Sequence, residues 1–232
     1  YSFILGEGSK LHTPQKFLIG QGRVSGFDDL LQRFSVEVVN REFYRQLFDW
    51  FQWAIEEVKF PSGKHEEEII RFISRMMFVW FLKQMKLIPE DIFDKSKTNI
   101  LLNNTDNSSS SYYKAILQNL FFATLNTSMR KDLKSNEAQV REFLPYGKMT
   151  NKHGLQYYYR YKKMLTDPDK FQQLLDDVPF LNGGLFECLD ERKNETGEDE
   201  IWIDAFTQNS KNQDILKFPN KLFFEPEKGL LD

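Results

Sequence analysis

The stretch that decides the fold runs from Glu66 to Lys86, EEEIIRFISRMMFVWFLKQMK. Acidic residues open it and lysines close it, which matches the polarity of a helix dipole. Between them Ile69, Ile70, Phe72, Ile73, Met76, Met77, Val79, Trp80 and Leu82 recur at three- and four-residue steps, the spacing of a helix. So few polar positions remain that this segment is expected to be the central buried helix, with Arg71 and Arg75, one turn apart, as its only wet edge.

Upstream, Tyr44, Leu47, Phe48, Phe51, Ala54, Ile55 and Val58 repeat the same period from Asn40, a residue suited to an N-cap, until Pro61-Ser62-Gly63 ends the run. Before it lie Gly6, Gly8, Pro14, Gly20, Gly22 and Gly26, a density that favours turns over helix. Downstream, Pro89-Glu90-Asp91 opens a short turn carrying Ile92 and Phe93, and NNTDNSSSS is a polar loop. A third helix is expected from Ser111, with Tyr113, Ile116, Leu117, Leu120, Phe121 and Leu125 on one side. Asp167-Pro168 starts another, carboxylate capping and proline in the first position, and Val178-Pro179 stops it. Ile201-Trp202-Ile203 reads as a short strand, and the tail beyond Phe218 as irregular. The fold class is therefore mainly α, an irregular helical bundle with a few short β-strands near the C-terminus. Its expected divisions are an arm or tail of a preceding domain over 1–39, a helical domain over 40–187, and an irregular segment over 188–232.

Composition narrows the chemistry. The 232 residues can bury a core without staples, and the single cysteine, Cys188, rules out an internal disulfide framework. His12, His65 and His153 with that thiol form no recognisable zinc set. A net charge of -3 argues against a uniformly basic coat while leaving room for a local patch. No signal-peptide pattern opens the chain, and its longest apolar run, Met76 to Leu82, falls far short of the ~20 residues that span a bilayer. A cytoplasmic protein without membrane partners is expected. The opening at Tyr1 and the end at Asp232 suggest a piece of something longer.

Three features carry residue types that chemistry could use. In VPFLNGGLFE, Val178 to Glu187, the glycine pair leaves a helix rather than a strand, so it lacks the context of a phosphate cradle. The reading is a structural turn at Asn182, Gly183 and Gly184, glycine supplying positive φ. Glu57-Val58-Lys59, with Asp28-Asp29 upstream, has a spacing found in metal-dependent nucleases, but Glu57 falls where an amphipathic helix carries its solvated charges. The segment Lys148 to Lys163 interleaves Lys148, Lys152, His153, Arg160, Lys162 and Lys163 with Tyr157, Tyr158, Tyr159 and Tyr161, and Arg130 and Lys131 could extend it. Bases that neutralise phosphates beside rings that stack make a DNA surface, with Lys148, Lys152, Arg160, Lys162 and Lys163 as contacts; the alternative is that the tyrosines are core.

VPFLNGGLFE, FSVEVVNREFYRQLFDWFQWAIEEV and EEEIIRFISRMMFVWFLKQMKLIPEDIF together resemble the helical region that precedes the methyltransferase domain in large bacterial adenine-specific DNA methyltransferases, including type IIG restriction-modification enzymes and related phage-defence methylases. The resemblance covers about Phe34 to Glu187 and, more loosely, Lys217 to Phe224. It implies that S-adenosylmethionine and an Asn-Pro-Pro-Tyr-like motif belong to a later, absent domain, and that any nuclease lies before the helical region. No Pro-Pro pair exists in this chain. The resemblance thus implies a monomeric connector without cofactor or catalytic residues, inactive alone. Its parent would methylate adenine N6 in DNA, with or without endonuclease activity, and its partners would be DNA and the adjoining methyltransferase and nuclease domains. A stand-alone protein-interaction module is the rival reading.

Overall fold

The computed structural model describes residues 15–127, 141–144, 157–181, 183–193, 199–206 and 214–231, and for 191–193 and 199–201 the backbone only. The chain is mainly helical. Its residues fall into two compact units, Tyr1–Asp49 and Trp50–Asp232.

In the first unit, a π-helical turn over Gln15–Ile19 buries Phe17, whose ring packs 5.4 Å from Phe34. The glycine-rich approach contains helix α1 (Phe27–Arg33), which the turn-rich reading had not anticipated. Asp29 explains it, because its carboxylate accepts from the Ser25 N–H at 2.8 Å and from Arg33 Nε at 2.8 Å, tying both ends of the helix together. The Arg33 bond, followed by that from Ser25, holds the Asp29 carboxyl down at about 2. Helix α2 (Val36–Glu57) runs unbroken through Asn40. The N-cap is instead Ser35, whose hydroxyl accepts from the Val38 N–H.

The second unit opens with the end of α2, where Trp50 and Ala54 are buried, and continues into α3 (His65–Gln84). α3 is not the central helix. It buries Ile69, Phe72, Met76, Val79 and Leu82, but leaves Ile70, Met77, Phe78, Trp80 and Phe81 exposed. Arg75, expected on the wet edge, is buried. A short 3₁₀ turn, Glu90–Phe93, leads into α4 (Lys95–Leu101), capped by the Asp94 carboxylate on the Lys97 N–H.

The central element is α5 (Tyr112–Leu125), wound with the wider π geometry and buried at every residue. A helix enclosed all round must satisfy its polar side chains internally. Gln118 Nε2 donates to the Asp204 carbonyl at 2.6 Å, Asn119 both donates to and accepts from the Arg160 backbone, and Thr124 Oγ1 donates to the Asn119 carbonyl. The start of α5 is held by the remote tail, since Asn220 Oδ1 accepts from the Tyr112 N–H while Asn220 Nδ2 donates to the Asp106 carbonyl and Ser111 Oγ.

Helix α6 (Pro168–Leu175) begins as expected, with Asp167 accepting from the Lys170 N–H and proline in its first turn. Strands β1 (Glu191–Lys193) and β2 (Asp199–Ile201) pair antiparallel, Glu191 opposite Ile201, and the ladder stops short of Trp202. The tail is anchored by α7 (Lys221–Phe224) and its rings. Phe218 stacks 4.5 Å from Tyr113, Phe223 lies 4.8 Å from Tyr112, and Trp50 Nε1 donates to the Leu222 carbonyl at 2.7 Å.

Candidate functional site

Two places in the second unit merit a functional reading, and the first explains VPFLNGGLFE. Gly183 is extended, with φ -163° and ψ 139°, and Gly184 opens a single 3₁₀ turn to Phe186. Neither glycine has positive φ, and a methyl group at either would meet no atom within 4 Å. The structural-turn expectation is thus corrected in its cause, because the turn at Gly183-Gly184 requires neither left-handed backbone nor close packing. Asn182 lies outside the described residues.

What the stretch supplies is a pair of carbonyls. Arg75, only 2% exposed, donates from Nε to the Leu185 carbonyl and from Nη2 to the Glu187 carbonyl, each at 2.9 Å. Its Nη1 reaches Asp204 Oδ1 at 2.9 Å, and its guanidinium lies 4.9 Å from the centre of the Phe122 ring. Burial works against the Arg75 charge, but the charge and hydrogen bond of Asp204 outweigh it and hold the group above its usual range. Asp204 Oδ2 then accepts from the Leu189 N–H at 2.8 Å. Asp190 completes the shell. Its carboxylate accepts the backbone N–H groups of Asp204, Ala205 and Phe206 at 2.9, 2.9 and 2.7 Å.

This arrangement does little chemistry. Each guanidinium nitrogen of Arg75 has an acceptor, and the Asp190 carboxylate holds three backbone donors, so both groups are committed to structural bonds. Cys188 beside them is buried with its Sγ donating to Asp190 Oδ2 at 3.4 Å, and burial first, then the charges of Asp190 and Asp204, push its thiol well above its ordinary range. Among the described residues no group of three or more His, Cys, Asp or Glu could hold a metal ion. Glu57, the weighed nuclease carboxylate, pairs with Lys221 Nζ at 2.7 Å.

The network also sets a pH response through Glu68, which is buried and paired with Arg71. Burial raises its carboxyl to about 7, with Arg71 opposing. Because the folded value lies above the ordinary 4.5, the proton stabilises the fold: that contribution is complete below 4.5 and lost as pH rises through about 7. The urea midpoint of the parent chain is therefore expected to decline between pH 5 and 8, and Glu68→Gln to flatten that decline. Equal slopes for the two proteins would exclude Glu68 as its source.

The second place is the basic, tyrosine-rich segment. Lys148, Lys152 and His153 lie outside the described residues, as do Arg130 and Lys131. Lys162 and Lys163 are exposed on a 3₁₀ turn, Lys162–Met164, entered through Tyr161 in the left-handed region at φ 58°. Asn103 fixes the turn, its Nδ2 donating to the Lys163 and Leu165 carbonyls at 3.0 Å each. Arg160 is placed differently from Lys162 and Lys163. It is buried, with its guanidinium over the Phe206 ring and its backbone clasped by Asn119. Tyr159 is core, sharing a hydrogen bond with Thr124, while Tyr157 remains exposed. The alternative reading, that the tyrosines are core, thus holds for Tyr159, and Arg160, expected to contact DNA, is buried with it.

Arg75, Asp190, Asp204 and Asn220 were missed by sequence reasoning, which treats a lone charge as solvent-facing. Of these only Asn220 carries a local signal, as a polar residue beside Lys221 in the otherwise apolar FPNKLFF. No helix among the described residues is long and apolar enough to cross a membrane. Compared with family models, curated proteins and solved structures, the chain finds no match.

Proposed function

We propose that this chain is a non-catalytic helical connector of an adenine-specific DNA methyltransferase, of the kind joined to restriction nucleases, and that it positions catalytic domains while touching the DNA backbone. The observation that carries the reading is the buried Arg75 network, which ties α3 to two carbonyls and a carboxylate more than a hundred positions later through hydrogen bonds and one ion pair. Such cross-links make a stiff body, which is what holding two domains in fixed relation requires. S-adenosylmethionine would be bound by the adjoining domain of the parent. Lys162 and Lys163 are the described members of the basic segment that reach solvent, and the rigid turn beneath them suits contacts to phosphate.

The test is a titration of the isolated chain against duplex DNA by fluorescence anisotropy at several salt concentrations. Lys162→Glu with Lys163→Glu is expected to weaken binding uniformly across sequences and to reduce the slope of log affinity against log salt by about 2, roughly one per lost phosphate contact. Tight binding of S-adenosylmethionine by the isolated chain would overturn the connector reading. A second reading, a protein-interaction module, is favoured by one observation: the uncovered apolar face of α3.

A further inference from the structure

We infer that the outward face of α3 is the docking surface for a second copy of this chain, two α3 helices packing antiparallel across a two-fold axis. The inference rests on the second reading above rather than on the connector. On this helix Ile70, Met77 and Phe81 are 55, 51 and 57% exposed. At 100° per residue they fall within about 40° of one another, a seam of seven- and four-residue spacing like that of packed helices. Ser74 interrupts the seam with a small side chain whose hydroxyl is already bonded to the Ile70 carbonyl at 3.0 Å, so it can face a partner without leaving a polar group unsatisfied.

The choice of occupant follows from symmetry. In a two-fold interface, whatever residue i touches must touch i in return. The midpoint between Ile70 and Phe81 coincides with that between Ser74 and Met77, so an antiparallel copy would set Ile70 against Phe81 and the small Ser74 against Met77 in a single register. Charge agrees with that register. Exposed Glu66 and Glu67 flank the seam where α3 begins, and exposed Lys86 follows where it ends, held in the left-handed region at φ 59°. Glu67 is paired with Lys64 of its own chain at 3.6 Å, so antiparallel packing brings Glu66 of each copy to Lys86 of the other and opposes the two helix dipoles. Parallel packing would set glutamate on glutamate. Lys83 takes no part, since its ammonium lies 4.2 Å from the Trp80 ring centre, off the seam.

Sedimentation equilibrium of the whole chain across the micromolar range tests this. A dimer is expected, and Met77→Glu or Phe81→Glu should raise its dissociation constant by about 30-fold or more, the size of a central interface residue. Both positions are exposed, so the monomer should remain folded. Phe48→Glu, on the exposed face of α2, should leave the dimer intact. The register is tested by charge: Glu66→Lys should weaken the dimer, and adding Lys86→Glu should restore it. A monomer at every concentration, a dimer indifferent to Met77→Glu and Phe81→Glu, or a charge reversal without rescue would overturn the inference. The DNA titration of Lys162 and Lys163 is read independently of these outcomes.

Discussion

Asp204→Ala is expected to cost about 3 to 5 kcal/mol of folding stability, the penalty for stripping one partner from a buried ion pair. The loss has two parts. Arg75 keeps its bonds to the Leu185 and Glu187 carbonyls but loses its counter-charge while almost wholly out of water, and the Leu189 N–H loses its acceptor. Asp204→Asn retains an acceptor without the charge, so it should fall between the parent and the alanine variant. Arg75→Met combined with Asp204→Leu removes both charges and should recover part of the loss. It should not reach the parent, because two carbonyls and one amide lose the partners they hold in the parent. Urea unfolding distinguishes these outcomes, the midpoint falling while the slope stays constant. A midpoint within the equivalent of about 1 kcal/mol for Asp204→Ala would mean that the pair contributes less than its burial implies.

The same network shows where sequence reading stops. Periodicity located the helices well: α2, α3, α5 and α6 all fall near the expected positions, and the Asp167-Pro168 start of α6 is confirmed in its capping bond. These signals are local, carried by residues within one or two turns. Which helix lies at the centre is not local. α3 has the more continuous apolar pattern, yet α5, which includes Lys114, Gln118, Asn119 and Thr124, is the one enclosed on all sides. The difference arises because polar residues can be buried when distant backbone groups pair with them, as the Arg160 backbone does with Asn119 and the Asp204 carbonyl does with the Gln118 amide nitrogen, although Gln118 Oε1 has no partner. No spacing rule reveals such partners.

The turn after α6 fails for the same reason. A glycine pair suggests positive φ, and the real contribution of VPFLNGGLFE is the direction of the Leu185 and Glu187 carbonyls toward Arg75, which no side-chain pattern encodes. The basic segment was legible only in composition. Burial separates Arg160 from Lys162 and Lys163 within three residues, because the chain passes from the clasp of Asn119 into an exposed turn.

Phe72→Ala carries the other large effect, about 3 to 5 kcal/mol and toward the upper end of the range for removing a buried ring. Phe72 is 1% exposed and meets five other aromatic rings: Phe218 at 4.6 Å, Tyr113 and Phe223 at 5.8 Å, Trp50 at 6.0 Å and Phe121 at 6.4 Å. These neighbours come from α2, α5 and the tail, so the ring joins segments that share no local sequence. Stiff planar side chains cannot flow into the vacated volume, and a cavity that fails to collapse adds its own cost to the lost transfer energy. A dry void lined by aromatic rings should accept benzene, so benzene should raise the melting temperature of Phe72→Ala and leave the parent unchanged. Phe81→Ala supplies the contrast. It lies on the same helix with the same chemistry, but on the exposed seam, and should change the stability of the monomer by no more than about 0.5 kcal/mol. Calorimetry at a concentration below dimerisation decides the matter: comparable losses for Phe72→Ala and Phe81→Ala would mean that α3 is buried all round, and both the placement of α5 at the centre and the docking face of α3 would fall together.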